Sequence, residues 1–311
     1  MHYSPEPLHI PDGFLSLVVS AVCWVISAII LSVAISRTNK SLGEKQVPLM
    51  GVMAAFIFAA QMINFPVAGG TSGHLLGGAL AAMVLGPWAA MLVMTAVIAV
   101  QSLLFQDGGL LVMGANILNM GLITSVIGYG LYRAVLGRPR RVKLVVAGVA
   151  AWLSVMAGAL ATALQLWLSG TSDLQTVTLA MLGVHALIAI GEALITVAAL
   201  GFILQTRPGL LGEGSVSASG GRGWVLAGVL ICLVVVLLSP FASVNPDGLE
   251  RVATDLGFIN RGQSPAFTIL PDYTLPVLGE TSLSTVMAGV TGVLVVLVVA
   301  IVAGRSLQKK L

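Results

Sequence analysis

Nine apolar stretches, most of them about as long as a bilayer is thick when wound into a helix, restrict this chain more than any other feature. They lie at about 14–36, 47–65, 74–86, 88–105, 110–136, 142–168, 177–205, 223–240 and 284–304. Crossing the hydrocarbon takes about 20 residues as a helix but only about 9–11 as a tilted strand, so runs of this length read as helices. Backbone amides in hydrocarbon must be paired within the segment, which a helix does by itself. The expected fold class is therefore an all-α polytopic membrane protein. The composition, 57% hydrophobic and 9% charged, agrees, since no water-soluble domain needs so much apolar surface. The third run is short and is closed tightly against the fourth by Gly86-Pro87, which suits a helix packed inside a bundle rather than one facing lipid.

The loops set the expected orientation. With the N-terminus outside, the cytoplasmic side receives 13 of the 15 Lys and Arg, including Arg133, Arg138, Arg140, Arg141 and Lys143, leaving Arg251 and Arg261 outside. That bias follows the positive-inside rule and places the C-terminus in the cytoplasm. The formal net charge of +3 is thus spread over short loops and forms no patch for nucleic acid. Cys23 and Cys232 fall in separate apolar runs, where they read as small buried hydrophobes. No basic n-region precedes the first apolar run, so residues 1–13 are expected to be an extracytoplasmic tail and not a signal peptide. A Gly/Ser-rich stretch at 206–223 reads as a linker between a seven-span domain (14–205) and a two-span domain (224–311). No internal repeat suggests the inverted symmetry of many secondary transporters.

Histidines at the outer ends of the spans are the residues most able to carry chemistry. His9 stands in "LHIPDGFL" before the first span, and His74 in "GGTSGHLLGG" at the start of the third. The orientation brings both to one end of the bundle, where Pro11 and Gly13 would turn the tail inward and Gly69, Gly70 and Gly73 would permit close backbone approach. Loop histidines among loose connectors are the plainer alternative. Two imidazoles alone hold a divalent ion weakly, but a histidine in the second position of a chain adds the terminal amine and its own amide nitrogen. Nitrogen donors in a plane select Ni(II) or Cu(II). By position His2 qualifies, whereas His9 has the better-structured surroundings.

"HIPDGFL" followed about 60 residues later by "GGTSGHLLGG", with "INFPVAGGTSGH", "GANILNMG" and "GEALIT", resembles the substrate-binding membrane component of nickel/cobalt energy-coupling factor transporters, the NikM/CbiM family. The likeness covers about residues 8–205, and "PDGLE" at Pro246–Glu250 resembles the two-span NikN-like module fused to some members. The resemblance implies a seven-helix bundle with the N-terminal tail tucked into it, followed by a two-helix module. It implies that Leu8 (amine), His9 (amide and imidazole) and His74 (imidazole) hold the metal. Here the chain departs from the pattern, because seven residues precede Leu8 and leave it an ordinary peptide nitrogen. Translation from Leu8, trimming of the leader, and a site rebuilt on Met1 and His2 are the three readings; the position of "PDGFL" directly after His9 favours the first. The resemblance further implies separate partners: a transmembrane coupling subunit and cytoplasmic ATPase subunits. Nickel is expected over cobalt, with the cobalt uptake associated with cobalamin biosynthesis as the alternative.

Other polar residues inside the spans should face the bundle interior. Asn116 and Asn119 could orient His74 or a metal-bound water. His185 and Glu192, seven apart on one helical face, read either as a pair behind the metal or as interhelical hydrogen-bonding groups. Gly51, Ala55 and Ala59 form a small-residue stripe, which the resemblance assigns to docking on the coupling subunit and which ordinary helix packing also explains. Five acidic residues (Asp247, Glu250, Asp255, Asp272 and Glu280) in the long outer loop could gather cations or press on the tail. No G-x-x-x-x-G-K-[ST] loop is present, so energy for uphill transport would come from other chains. The chain reads as a metal-capturing transport component, not an enzyme, and without cofactors; a self-sufficient channel or carrier for the same ion is the rival.

Overall fold

The computed structural model describes residues 9–43, 46–211, 223–263 and 267–308. Met1, His2 and Leu8 lie outside these residues, as does most of the expected linker. Helix dominates: α1 (Leu17–Ser41), α2 (Gln46–Gln61), α3 (Gly78–Leu85), α4 (Pro87–Val100), α5 (Met113–Asn116), α6 (Thr124–Arg133), α7 (Arg140–Leu168), α8 (Leu174–Thr206), α9 (Gly223–Leu237), α10 (Gly248–Asp255) and α11 (Ser282–Leu307). Two π-helical stretches, Gln101–Phe105 and Ile117–Ile123, continue α4 and join α5 to α6.

Among the described residues six helices are long and apolar enough to cross a membrane, and Gln46–Gln61 is a shorter apolar one. On α1 the side chains of Leu17, Val18, Val25 and Ile29 are exposed, as are Val145 on α7 and Leu179 and Leu194 on α8. Exposed apolar faces of that kind are covered by hydrocarbon, so the chain is a multi-pass membrane protein. By contrast α3, only eight residues long, is almost wholly buried, as its sequence suggested.

Local chemistry sets the ends. Ser16 caps α1 by accepting from the Val19 amide, Asp173 caps α8 from Thr176, and Thr281 caps α11 from Ser284. Pro87 opens α4 directly after Gly86, whose φ of +80° permits the sharp turn from α3.

One element departs from the helical expectation. Residues read as the end of the second run and the loop after it form an antiparallel hairpin, β1 (Phe65–Val67) with β2 (Thr71–Gly73), pairing Phe65 with Gly73. Pro66 and the two left-handed glycines at the tip, Gly69 (φ +83°) and Gly70 (φ +71°), forbid helix here.

The C-terminal helices are packed into the molecule. α9 and α11 lie on α2, and α10 lies on α8 and β2. Gly51 faces Ile301 and Leu297 of α11, and Ala55 and Ala59 are fully buried. Of the stripe expected to dock a coupling subunit, Gly51 thus packs on the chain's own last helix. A small-residue stripe specifies close approach and not which helix approaches.

Candidate metal site

His9 reaches the interior because the tail is bonded on several sides. The Pro11-Asp12-Gly13 turn places the Asp12 carboxylate before α5, where it accepts the backbone N–H groups of Leu110, Leu111 and Val112 at 3.1, 2.9 and 3.1 Å. Asn116 clamps the backbone of Ile10, accepting its N–H at 3.1 Å and donating to its carbonyl at 3.0 Å. The Gly109 N–H and Gln263 N–H close on the carbonyls of Ile10 and Asp12. Phe14 is buried against Phe258, and His9 itself is only 2% exposed. The described end of the tail, residues 9–13, is therefore fastened into the bundle.

His74 follows β2. Ser72 donates its N–H to the Pro246 carbonyl at 2.8 Å and its hydroxyl to the Asn245 carbonyl at 2.8 Å. On the other side Glu192 of α8 accepts the N–H groups of Leu76 (2.6 Å) and Gly77 (3.0 Å). Gly77, at φ +82°, starts α3 from a left-handed conformation. The short loop carrying His74 is thus held at both ends.

The two imidazole centres are 5.5 Å apart and tilted by 60°. Imidazole nitrogens bind first-row divalent ions at about 2.0–2.1 Å, which puts two rings sharing an ion about 4.5–6 Å apart. Both rings line one cavity of about 60 Å³, with Asn116, Asn119, His185 and Asp247 among its other walls. The Nε2 of His9 is buried without a hydrogen-bond partner among the described residues.

Each imidazole has a carboxylate behind it. Asp107 lies 3.5 Å from His9 Nδ1, and its carbonyl is 3.3 Å from the same nitrogen. Asp247 lies 3.5 Å from His74 Nδ1. Burial pulls the His9 pKa below its ordinary value, and Asp107 only partly offsets this. At His74 burial acts in the same direction, but hydrogen bonding and charge attraction from Asp247 outweigh it and hold the ring above its ordinary value.

A chain of hydrogen bonds joins the two sides. Gln61 donates to the Leu76 carbonyl and Gln101 donates to Gln61 (2.9 Å each); Gln101 also reaches the Tyr273 hydroxyl at 3.2 Å, which donates to Asp107 at 2.6 Å. Burial, then Asp107, push the Tyr273 phenol well above its usual range, so it stays a donor.

The remaining expected residues separate by role. Asn119 pairs with Gln165 (2.8 Å in both directions) and Thr162 (3.1 Å), lining the cavity without bonding to His74. His185 binds the Met181 carbonyl at 2.8 Å, and Glu192 binds the His74 loop; they do not pair with each other. Sharing a helical face left two turns between them. Among the described residues no three His, Cys, Asp or Glu side chains converge closely enough to hold a metal unaided. An ion placed between His9 and His74 would draw its further donors from backbone nitrogen, an N-terminal amine or water.

Asp107 and Tyr273 escaped sequence reasoning as site residues. Asp107 is the acidic residue of "FQDGGL", and its burial beside an outer-end histidine is the signal that sequence order hides.

Residues 9–210 match the family model described as the cobalt uptake substrate-specific transmembrane region, and residues 222–309 match the PDGLE domain. The chain is 35% identical over 298 residues to a putative fused nickel transport protein of Archaeoglobus fulgidus, covering 93% of this chain and 96% of that one. It is 29% identical over 233 residues to the cobalt transport protein CbiM of Acetohalobium arabaticum, covering 68% and 88%. A crystal structure of a truncated transition metal transporter superposes with a TM-score of 0.57 at 36% identity, over 63% of this chain and 98% of that one.

Proposed function

The chain belongs to the cobalt-uptake substrate-specific transmembrane family and carries a C-terminal PDGLE domain, and from that premise we propose that it captures nickel, or cobalt, at the outer face of the membrane for an ATP-driven uptake complex. Capture is assigned to His9 and His74. The observation that carries this is the convergence of two imidazoles from a buried tail and a glycine-rich loop on one cavity, at a separation two ligands of one ion require. Nitrogen donors suit nickel and cobalt and disfavour magnesium and calcium.

The donor set is completed by the backbone nitrogens of residues 8 and 9. Chelation by the amide and imidazole of one histidine closes a six-membered ring through Nδ1, the nitrogen that faces Asp107 in this structure. The Leu8 nitrogen adds an amine only in a chain that starts there; intact-mass measurement on native protein decides between that set and one built on Met1 and His2. The N-terminus lies outside, the tail of residues 1–13 brings His9 to the membrane domain at 14–205, and the two-span domain 224–311 follows the 206–223 linker. A coupling subunit and ATPases are separate chains, because no phosphate-binding loop lies in this one.

The test is equilibrium Ni²⁺ and Co²⁺ binding to the purified protein in detergent. His74→Ala and His9→Ala should each abolish tight binding while His2→Ala leaves it intact; tight binding by His74→Ala overturns the site. Gentle detergent isolation should bring down an ATPase, and metal uptake into liposomes holding this chain alone would favour the self-sufficient carrier.

A further inference from the structure

The C-terminal module makes a contact inside the metal site that the capture reading does not require. Asp247, the acidic residue of "PDGLE", is 4% exposed and lies 3.5 Å from His74 Nδ1. It is held there from both sides. Strand β2 donates from Ser72 to the carbonyls of Pro246 and Asn245, and Thr71 donates from its hydroxyl to Pro246 at 3.0 Å. On the following side Asp247 is the N-cap of α10, accepting the N–H groups of Leu249 (2.9 Å) and Glu250 (3.1 Å) through one carboxylate oxygen, Oδ1. The other oxygen, Oδ2, is the one that faces His74. One carboxylate thus ends a helix and faces an imidazole.

We propose that Asp247 is a positioning residue for His74: it receives the Nδ1 proton, so that Nε2 carries the lone pair and points into the cavity toward the ion. This rests on the reading that His74 is a metal ligand. A ligating imidazole donates its other N–H to a carboxylate in many metal sites, which fixes tautomer and ring direction. At 3.5 Å the contact is longer than a settled hydrogen bond. Neutral His74 Nδ1 has no other hydrogen-bond acceptor among the described residues. Glycine at 248 suits the close packing there, since a Cβ would stand 2.6 Å from the Ile188 side-chain tip and 3.0 Å from the His185 ring. The C-terminal module therefore completes the metal site of the larger domain, in place of acting only as a packing partner.

The capping role separates the two functions of the residue. Asparagine caps helices as well as aspartate, so Asp247→Asn keeps α10 started while removing the charge that faces His74. Asp247→Ala removes both. On purified full-length protein in detergent, Ni²⁺ affinity is measured by isothermal titration, the ligand-field absorption of bound Ni²⁺ is recorded, and metal-free melting is followed. Asp247→Asn should bind Ni²⁺ about 10–100-fold more weakly, with a shifted absorption band and unchanged metal-free melting. Asp247→Ala should show the same affinity loss with lower melting. Wild-type affinity and spectrum in Asp247→Asn overturn the proposal, as does an affinity loss that tracks a melting loss across both variants. Should His74→Ala also bind normally, the capture site itself is wrong; should His74→Ala fail while Asp247→Asn binds normally, only the positioning role falls.

Discussion

Removing the carboxylate of Glu192 should release the loop that presents His74. Glu192 is fully buried in α8 and its two oxygens accept the backbone N–H groups of Leu76 and Gly77, the second and third residues after the histidine. Glu192→Ala leaves both amides unpaired in a dry interior, at about 1–3 kcal/mol each, so a loss of about 2–6 kcal/mol is expected. Glu192→Gln retains the shape and one acceptor oxygen but turns an NH₂ toward the second amide, so about half that loss is expected. Against a total stability of about 5–15 kcal/mol, Glu192→Gln should still fold, while the upper end of the Glu192→Ala loss approaches the whole. Thermal unfolding in detergent without metal should rank wild type, Glu192→Gln and Glu192→Ala in that order. Ni²⁺ affinity should fall in the same order, because the loop that fixes His74 has lost its anchor. A Glu192→Ala protein that melts and binds as wild type would refute the idea that α8 holds this loop.

Two further outcomes follow from the geometry of the site. Protons and metal compete for the same imidazoles. Asp247 holds His74 above the ordinary 6.5, so as pH falls this ring protonates first and metal affinity begins to drop above pH 6.5. The drop should be about tenfold per unit, steepening once His9, whose pKa is lowered by burial, protonates too; titrations that give one affinity from about pH 8 to 5 would contradict it. Asp12→Ala removes the acceptor of three amides that fastens the tail before α5, and should cost at least about tenfold in Ni²⁺ affinity although Asp12 is not a ligand. Unchanged binding by that variant would show that the tail is seated without its clamp.

What sequence alone determined was the set of features that act locally. Apolar runs of bilayer length impose helices because hydrocarbon leaves amides no other partner, and the shortness of the run after His74 already implied burial of α3. The two histidines were legible because their flanking turns and glycines are encoded beside them. The hairpin at 65–73 was not read as strand, since a few residues between helices carry too little pattern, though its proline and glycines excluded helix.

Tertiary structure alone decided what lies far apart in the chain. Asp107 stands 98 residues from His9, and Asp247 comes from the C-terminal module, so neither carboxylate–imidazole contact has a local signature. The same holds for Glu192, read either as one half of a pair with His185 or as an interhelical hydrogen-bonding group, whose actual partners are backbone amides more than 100 residues away. The small residues of α2 stated that a helix would come close; only packing decided that the helix was α11. Periodicity and propensity act over a few turns, while burial rewards any partner of fitting shape and charge wherever it lies in the sequence.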